Sequence, residues 1–594
     1  MKKIFLYIFF LLAVTAFAQN EQLALNYFEK GEFEKAAVIY KELEQKQPYN
    51  FFYAQRLAAC YQQLQEYDKA TALLSEKLEK TKQPLLLVEL GYNYQLQDNM
   101  ASAQKYYDQA IDAITQNPSA VYGVADAFEK KVLVDQALKA YKTATAINPN
   151  MNFDYQMALL EGQLGHMDLM TERLLDYAYN NQRNLIVVQH QLTRFMEEET
   201  DGSNFNDLLR KALLVKAQKN QDIFWNQFLS WFFVQQKDYN KAFVQEKAIY
   251  RRDPNMFMNI VSLGKIALEE NEKDTAREIY SYILENTTDQ QLLAEAHYNL
   301  LNLDIEAATE KDYEGIKQRI DALLADFGIT PYSLDLQLIK AKFQAFYLKD
   351  TQAATATLNR ALELQLNKYQ QAKVKMELSD VLLLDSKFNQ AIIYYAQIEE
   401  DLKNDAVGHE ASLKMARASY FKGDFDWAQK QLKVLKSSSS QLIANDALEL
   451  FLLITDNTVE DSTQVALKKF AKADFLLYQN KKAEALASFK QLLDSTQTES
   501  IKDVTLLRMG RIYEGQGKYD FALQQYKQII DNFTDGIYID EALFFSAEIY
   551  NKQLHQPEEA KPLYEKLLFG HEDSIYFIEA RKQFRLLRGD AVNS

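Results

Sequence analysis

Residues that interrupt helices are scarce in this chain. Its 594 residues include 17 glycines and 8 prolines, about a third of the share expected of an average soluble protein. That scarcity excludes glycine-looped nucleotide folds and turn-dense all-β folds. With abundant Ala, Leu, Glu, Lys and Gln, it predicts helix almost throughout. A single cysteine, Cys60, excludes an internal disulfide framework and a four-cysteine metal site; it reads as a small buried core residue. The six histidines (His166, His190, His297, His409, His555, His571) include no pair at i, i+4, so none of them forms a zinc pair on one helical face. The net charge is −16 without a basic stripe, a balance that phosphate repels, so nucleic acid is not an expected partner. After the first eighteen residues no apolar run reaches 18 residues, and no membrane span is expected there.

What is present begins with an address. Lys2 and Lys3 precede an uncharged apolar stretch from Ile4 to Ala13, then Ala16-Phe17-Ala18. This is the three-part layout of a secretory signal peptide cut after Ala18. The alternative is an uncleaved N-terminal anchor. No cysteine lies near the cut, which argues against a lipid anchor. The expected product is periplasmic or secreted, and loss of Lys2 and Lys3 takes its charge from −16 to −18.

A short pattern then recurs: a bulky residue, two polar or small ones, alanine. It reads Phe33-Glu-Lys-Ala36, Tyr67-Asp-Lys-Ala70, Met100-Ala-Ser-Ala103 and Val134-Asp-Gln-Ala137, at spacings of 34, 33 and 34. It returns at Ala242 and Ala276, 34 apart, then at Ala391 and Ala428, and at Ala485 and Ala522, each pair 37 apart, with a last copy at Ala560. About twelve residues before each alanine stands a small residue, such as Ala24, Ala58, Gly91, Ala125 or Gly510. Four after it stands a large one, such as Tyr40, Tyr107, Tyr141, Tyr395 or Tyr526. Pro48, Pro149 and Pro254 fall twelve after, and Pro118 a little later.

These offsets together resemble the tetratricopeptide repeat family, whose Leu-Gly, Tyr, Ala, Phe and Pro recur with period 34. Clear copies begin near residues 17, 51, 84, 118, 223, 257, 372, 409, 466, 503 and 540. The resemblance implies an all-α fold: an α-α superhelix of about 14–16 helical hairpins, closed by a capping helix near Ser574–Arg588. In each hairpin, small residues let helices A and B approach closely, and rings fill the gaps between hairpins. The 36 tyrosines and 35 phenylalanines are then mainly packing. The expected organisation is a signal peptide at 1–18, an N-terminal array at 19–180, divergent repeats at 181–330, longer repeats at 331–460, and a C-terminal array with its cap at 461–594. Polar links are expected at Ser437–Ser440, Thr455–Thr463 and Asp494–Ser500. Copies around 503–570 look like those of periplasmic tetratricopeptide proteins that serve outer-membrane assembly or cell-wall coordination.

Catalytic and ligand motifs are weak. Gly515-Gln-Gly517-Lys518 lacks the spacing of a phosphate loop and falls in an A–B turn. Asp201–Asp207 lacks the mid-loop glycine and closing glutamate of a calcium loop. Glu499-Ser500 invites comparison with wall-lytic enzymes, but it lies in a polar link with nothing to raise a carboxyl pKa. No cofactor, metal or enzymatic activity is therefore expected.

A binding surface remains. In tetratricopeptide arrays helix A lines the concave face, and the register puts Gln55, Gln62, Gln63, Tyr92, Gln95, Asp126, Glu129 and Lys130 there near the N-terminus. Arg511, Glu514, Phe544, Glu548 and Asn551 take the same positions near the C-terminus. The expected function is a non-catalytic scaffold of the bacterial envelope that binds proteins or peptides. A glycan-binding surface protein is the alternative, although Trp225, Trp231 and Trp427 lie within helices instead of forming exposed platforms.

Overall fold

The computed structural model describes residues 20–197, 205–436, 440–459, 463–496 and 501–589. The expected signal peptide, Asp201–Asn204, Ser437–Ser439 and Glu499-Ser500 lie outside them. Every regular element among the described residues is helical, as the scarcity of breakers requires. The chain divides into two compact units, Met1–Ala267 and Leu268–Ser594.

Within each unit A and B helices alternate. In the first, Phe51–Gln63 pairs with Tyr67–Thr81, Leu85–Gln95 with Met100–Gln116, and Val121–Lys130 with Val134–Ile147. In the second, Lys368–Leu384 pairs with Phe388–Asp401, Ala406–Lys422 with Phe425–Leu435, and Lys502–Glu514 with Tyr519–Asn532. The A helices start at residues 51, 85, 121, 223, 257, 368, 406, 465, 502 and 539, each within a few residues of the start read from the repeat. Helix Phe577–Arg588 closes the second unit, packing Ala580 and Phe584 against the helix before it.

The alanine beat marks the seams. Ala36, Ala70, Ala103, Ala137, Ala242, Ala276, Ala391, Ala428, Ala485, Ala522 and Ala560 are all fully buried. The small residue of helix A meets the large residue of helix B. A Cβ built on Gly91 would stand 2.4 Å from Tyr107 Cε1, and one on Gly510 would stand 2.3 Å from Tyr526 Cε1. No methyl group fits at either place, so the ring and the glycine specify one another.

The A–B turns share a backbone device. Most cross through one residue at positive φ: Gly31, Gln65, Asp98, Val132, Gly165, Lys237, Asn271, Ser386, Gly423, Asn480 and Gly517. Gly517, at φ +69°, is therefore a turn glycine, which disposes of the phosphate-loop resemblance. B helices stop before the prolines: Gln116 precedes Pro118 and Arg252 precedes Pro254 by two residues. Asn117 and Asp253 then cap the next turn, accepting from Ser119 N and Asn255 N.

One expected link is helical. Helix Gln441–Val459 runs through Thr455–Val459. Thr455 Oγ1 donates to the Phe451 carbonyl and Asn457 Nδ2 to the Leu453 carbonyl. Polar side chains that satisfy themselves on the preceding turn do not end a helix.

Candidate partner-binding site

The predicted groove residues separate into several kinds. Four are acceptors for the packing tyrosines. Tyr107 donates to Gln95 Oε1 at 2.9 Å, Tyr141 to Glu129 Oε1 at 2.7 Å, Tyr526 to Glu514 Oε2 at 2.9 Å and Tyr564 to Glu548 Oε1 at 2.5 Å. Asp380 does the same for Tyr395. A buried ring needs a partner for its hydroxyl, and the last turns of helix A supply one. These carboxylates and amides position rings first.

Two predicted residues do not belong to a groove. Gln62 is buried, with Nε2 lacking any hydrogen-bond partner. Phe544 is also buried, stacked on Tyr576 at 4.6 Å between centroids. Both sit one position off the exposed face of their helix, where a period of 3.6 residues turns a side chain into the seam. The others are accessible. Gln63, Asp126, Lys130 and Arg511 are exposed, and Gln55, Tyr92 and Asn551 half-buried. Gln55 Nε2 donates to Glu89 Oε1 at 3.1 Å, and Lys131 Nζ lies 4.7 Å from the Tyr92 ring centroid. Lys130 pairs with Asp126 at 2.7 Å. Arg511 pairs with Glu514 at 2.8 Å and lies over Phe545, and Asn551 donates to Gln583.

One hollow in the second unit escaped the sequence reading. It is a cavity of about 290 Å³ lined only by A-type and single helices: Ala406–Lys422, Gln441–Val459, Val465–Tyr478 and Lys502–Glu514. Its floor is apolar, with Phe421, Leu450, Leu453 and Leu477. Its walls carry Arg417, Asp446, Glu449, Asp474 and Arg508. Arg508 Nη2 donates to Glu449 Oε1 at 3.2 Å. Its Nε stands 3.7 Å from Asp474 Oδ1, too far for a hydrogen bond, and has no other partner. Arg417 Nη2 is 3.8 Å from Asp446 Oδ2. Two guanidinium groups with five N–H donors each thus face one small cavity with little of their hydrogen-bonding capacity used.

Electrostatics keep these groups charged. Burial opposes the Arg508 charge, but Asp474 and Glu449 outweigh it and hold the guanidinium pKa above its ordinary value. Burial, then Asp474, pushes the Tyr420 phenol well up, and it donates to Asp474 Oδ2 at 3.4 Å. Nearby, burial lifts the Asp503 carboxyl to about 6 and the Glu541 carboxyl to about 7. The Cys60 thiol is lifted by burial to about 12, which leaves it unreactive at neutral pH.

The signal for the cavity was present in the register. Arg508 lies one turn before Arg511 on the same helix, and Arg417 falls in the matching helix of an earlier copy. What the repeat did not show is the extra helix Gln441–Val459, which brings Asp446 and Glu449 to the opening.

Two segments match models of the tetratricopeptide repeat, residues 89–152 and residues 505–535, one in each unit. Around both matched segments the chain forms paired antiparallel helices, the form this repeat takes. Among solved structures, the chain aligns with one from Naa15/Naa10 bound to HypK-THB. That alignment covers 97% of both chains at 11% identity, with a TM-score of 0.28. It also aligns with a chain of the APC/C hetero-tetramer Cut9-Hcn1, over 95% of both at 14% identity and a TM-score of 0.21. Scores this low carry no argument about arrangement or role. No curated protein matches the chain.

Proposed function

We propose that this protein is a non-catalytic protein–protein interaction scaffold of the bacterial cell envelope, exported by residues 1–18. Partner proteins or peptides dock on its A-helix faces, and the Arg417/Arg508 cavity anchors them. The observation that carries this reading is that cavity: apolar floor, charged walls, and guanidinium donors without full complements of acceptors. A partner segment bearing a carboxylate and a neighbouring apolar side chain satisfies both features. Carboxylate–guanidinium hydrogen bonds are charge-assisted and directional, and an arginine at the rim of a hydrophobic patch is a common anchor of interfaces. The Lys2-Lys3, apolar and Ala16-Phe17-Ala18 layout supports export.

The glycan alternative finds no support at its three tryptophans. Trp225 is buried and Trp231 and Trp427 are half-buried, so none stands out as a fully exposed platform. Site-specific photocrosslinking in the native cell tests the scaffold reading. A crosslinker in place of Glu449, at the cavity mouth, is expected to capture envelope proteins. One in place of Lys490, exposed on a B helix, is expected to capture few. Equal capture from both positions, or none from Glu449, overturns the assignment of the docking face.

A further inference from the structure

The closing helix of a solenoid usually turns a polar face outward to end the stack. Helix Phe577–Arg588 turns outward a face that is cationic but also carries large apolar side chains. Ala580 and Phe584 point into the array. On the opposite side Ile578, Arg581, Lys582 and Arg585 follow one another at i, i+3, i+4 and i+7, all exposed. Ile578 is 73% exposed, and Ile575, one turn earlier, is 85% exposed. Leu586 and, on the preceding helix, Phe569 are also exposed, and Arg588 adds a fourth cation. Among the described residues, the acidic ones nearest in sequence are Glu572 and Asp573 in the preceding turn and Glu579, which accepts from Gln583.

We infer that this outer face is a docking surface for an anionic phospholipid membrane. Two features select that occupant. The first is charge: four cations gather on one short helix of a chain whose net charge is −16, so the face seeks an anionic surface against the repulsion of the remainder. The second is the placement of apolar side chains among those cations on a convex ridge. Arginine and lysine stems lie along an interface with their heads at the phosphates, while branched aliphatic tips enter the acyl boundary. A nucleic-acid backbone has no use for the isoleucines. A protein partner would require a complementary groove, whereas a fluid lipid surface conforms to a ridge. The helix lies on the membrane and does not cross it: no helix among the described residues is long and apolar enough to do so.

The test is co-sedimentation of the full chain with vesicles of phosphatidylcholine alone or with a third of phosphatidylglycerol. The readout is the ratio of the two partition coefficients, and wild type and variants are compared both as the full chain and from Gln19 onwards, where the expectations below apply, since the leader's Lys2 and Lys3 add an anionic preference of their own. Each cation near an anionic surface contributes roughly a fivefold gain in partition. Wild type is therefore expected to prefer anionic vesicles by at least tenfold at low salt, with the preference fading as salt rises. The triple variant Arg581→Glu, Lys582→Glu, Arg585→Glu is expected to abolish the preference. Ile575→Ser with Ile578→Ser is expected to lower binding to anionic vesicles while leaving the helical signal intact. All five positions are exposed, so folding is retained and checked by circular dichroism. Absence of anionic preference in wild type, or its persistence in the triple variant, overturns the inference. Binding to an acidic polypeptide or to nucleic acid, with no vesicle preference, overturns it in favour of that other polyanion.

Discussion

At the residue scale, the repeated tyrosine decides which polar groups are available for binding. Where helix A offers a carboxylate or amide, as Glu514 does for Tyr526, the hydroxyl is satisfied. Where it does not, as at Tyr40 and Tyr280, a buried hydroxyl has no partner. Removing the hydroxyl should therefore have opposite consequences. Tyr526→Phe is expected to cost about 1 kcal/mol, because a buried hydroxyl loses its bond to Glu514, which keeps only Arg511 as a donor; Tyr40→Phe is expected to be neutral or stabilising. Stability here is best read locally, by hydrogen exchange in the affected helix pair, since repeat arrays do not unfold as one unit. Equal losses at both sites contradict the clamp. A second residue-scale expectation concerns Val132, a β-branched residue at φ +56° in an A–B turn and 77% exposed. Val132→Gly relieves a left-handed backbone that costs about 1–2 kcal/mol for an L-residue and is expected to stabilise the surrounding hairpin. A loss of protection there shows that the turn is unstrained.

At the scale of elements, the seam between hairpins sets tolerance. The link between Phe388–Asp401 and Ala406–Lys422 is so tight that a Cβ on Gly408 would stand 2.1 Å from the Leu402 carbonyl oxygen. Backbone cannot yield as a flexible side chain can. Gly408→Ala is expected to destabilise that junction by several kcal/mol, in the range of overpacked cores, and the same substitution at Gly315, with nothing nearby, to be tolerated. Matching losses in the two variants refute the close approach. The same scale shows what the sequence made legible. The alanine beat located hairpins, and the A-helix starts followed from it, because the alanines of the clear copies are all fully buried where helices meet; the copy with buried Met170 at that place was correspondingly harder to read. Gln62 and Phe544 were misplaced because a small error of register on a helix moves a side chain from the open face into the seam. The helical run Thr455–Val459 was hidden because threonine and asparagine read as link residues unless their bonds to the preceding turn are known.

At the scale of the whole molecule, acidity is the dominant property, with 83 Asp and Glu against 67 Lys and Arg. Most of those carboxylates are solvated, but Glu541 is not. Burial, with Asp540 and Glu449 adding like charge, holds its carboxyl at about 7, and its Oε2 is buried without a hydrogen-bond partner. The folded state therefore retains a proton that the unfolded chain releases near the ordinary carboxylate range. Stability from this group is fully present below that range and falls as pH rises towards 7. Asp503, held at about 6 by burial, acts in the same direction. Glu541→Gln is expected to remove about 2 kcal/mol of the loss seen in the C-terminal helices between pH 5 and pH 8, measured by hydrogen exchange at the two values. An unchanged pH slope contradicts the assignment. The closing helix and its cations were legible in the sequence, but the cavity and the exposed apolar company of those cations became visible only at this scale. One depends on a helix outside the repeat and the other on which face of the last helix remains uncovered, and a local spacing settles neither by itself.

The register of seam and surface underlies the docking face, the cavity and the ridge alike, and thiol labelling reads it directly. The chain's single cysteine is buried with its pKa raised to about 12, so it leaves a quiet background. Cysteines introduced at Ala36, Ala391 and Ala522 are predicted to react with a water-soluble maleimide at least about a hundredfold more slowly than cysteines at the exposed neighbours Val38, Ile393 and Phe521. Comparable rates within any of these pairs would show that the beat does not mark the seam.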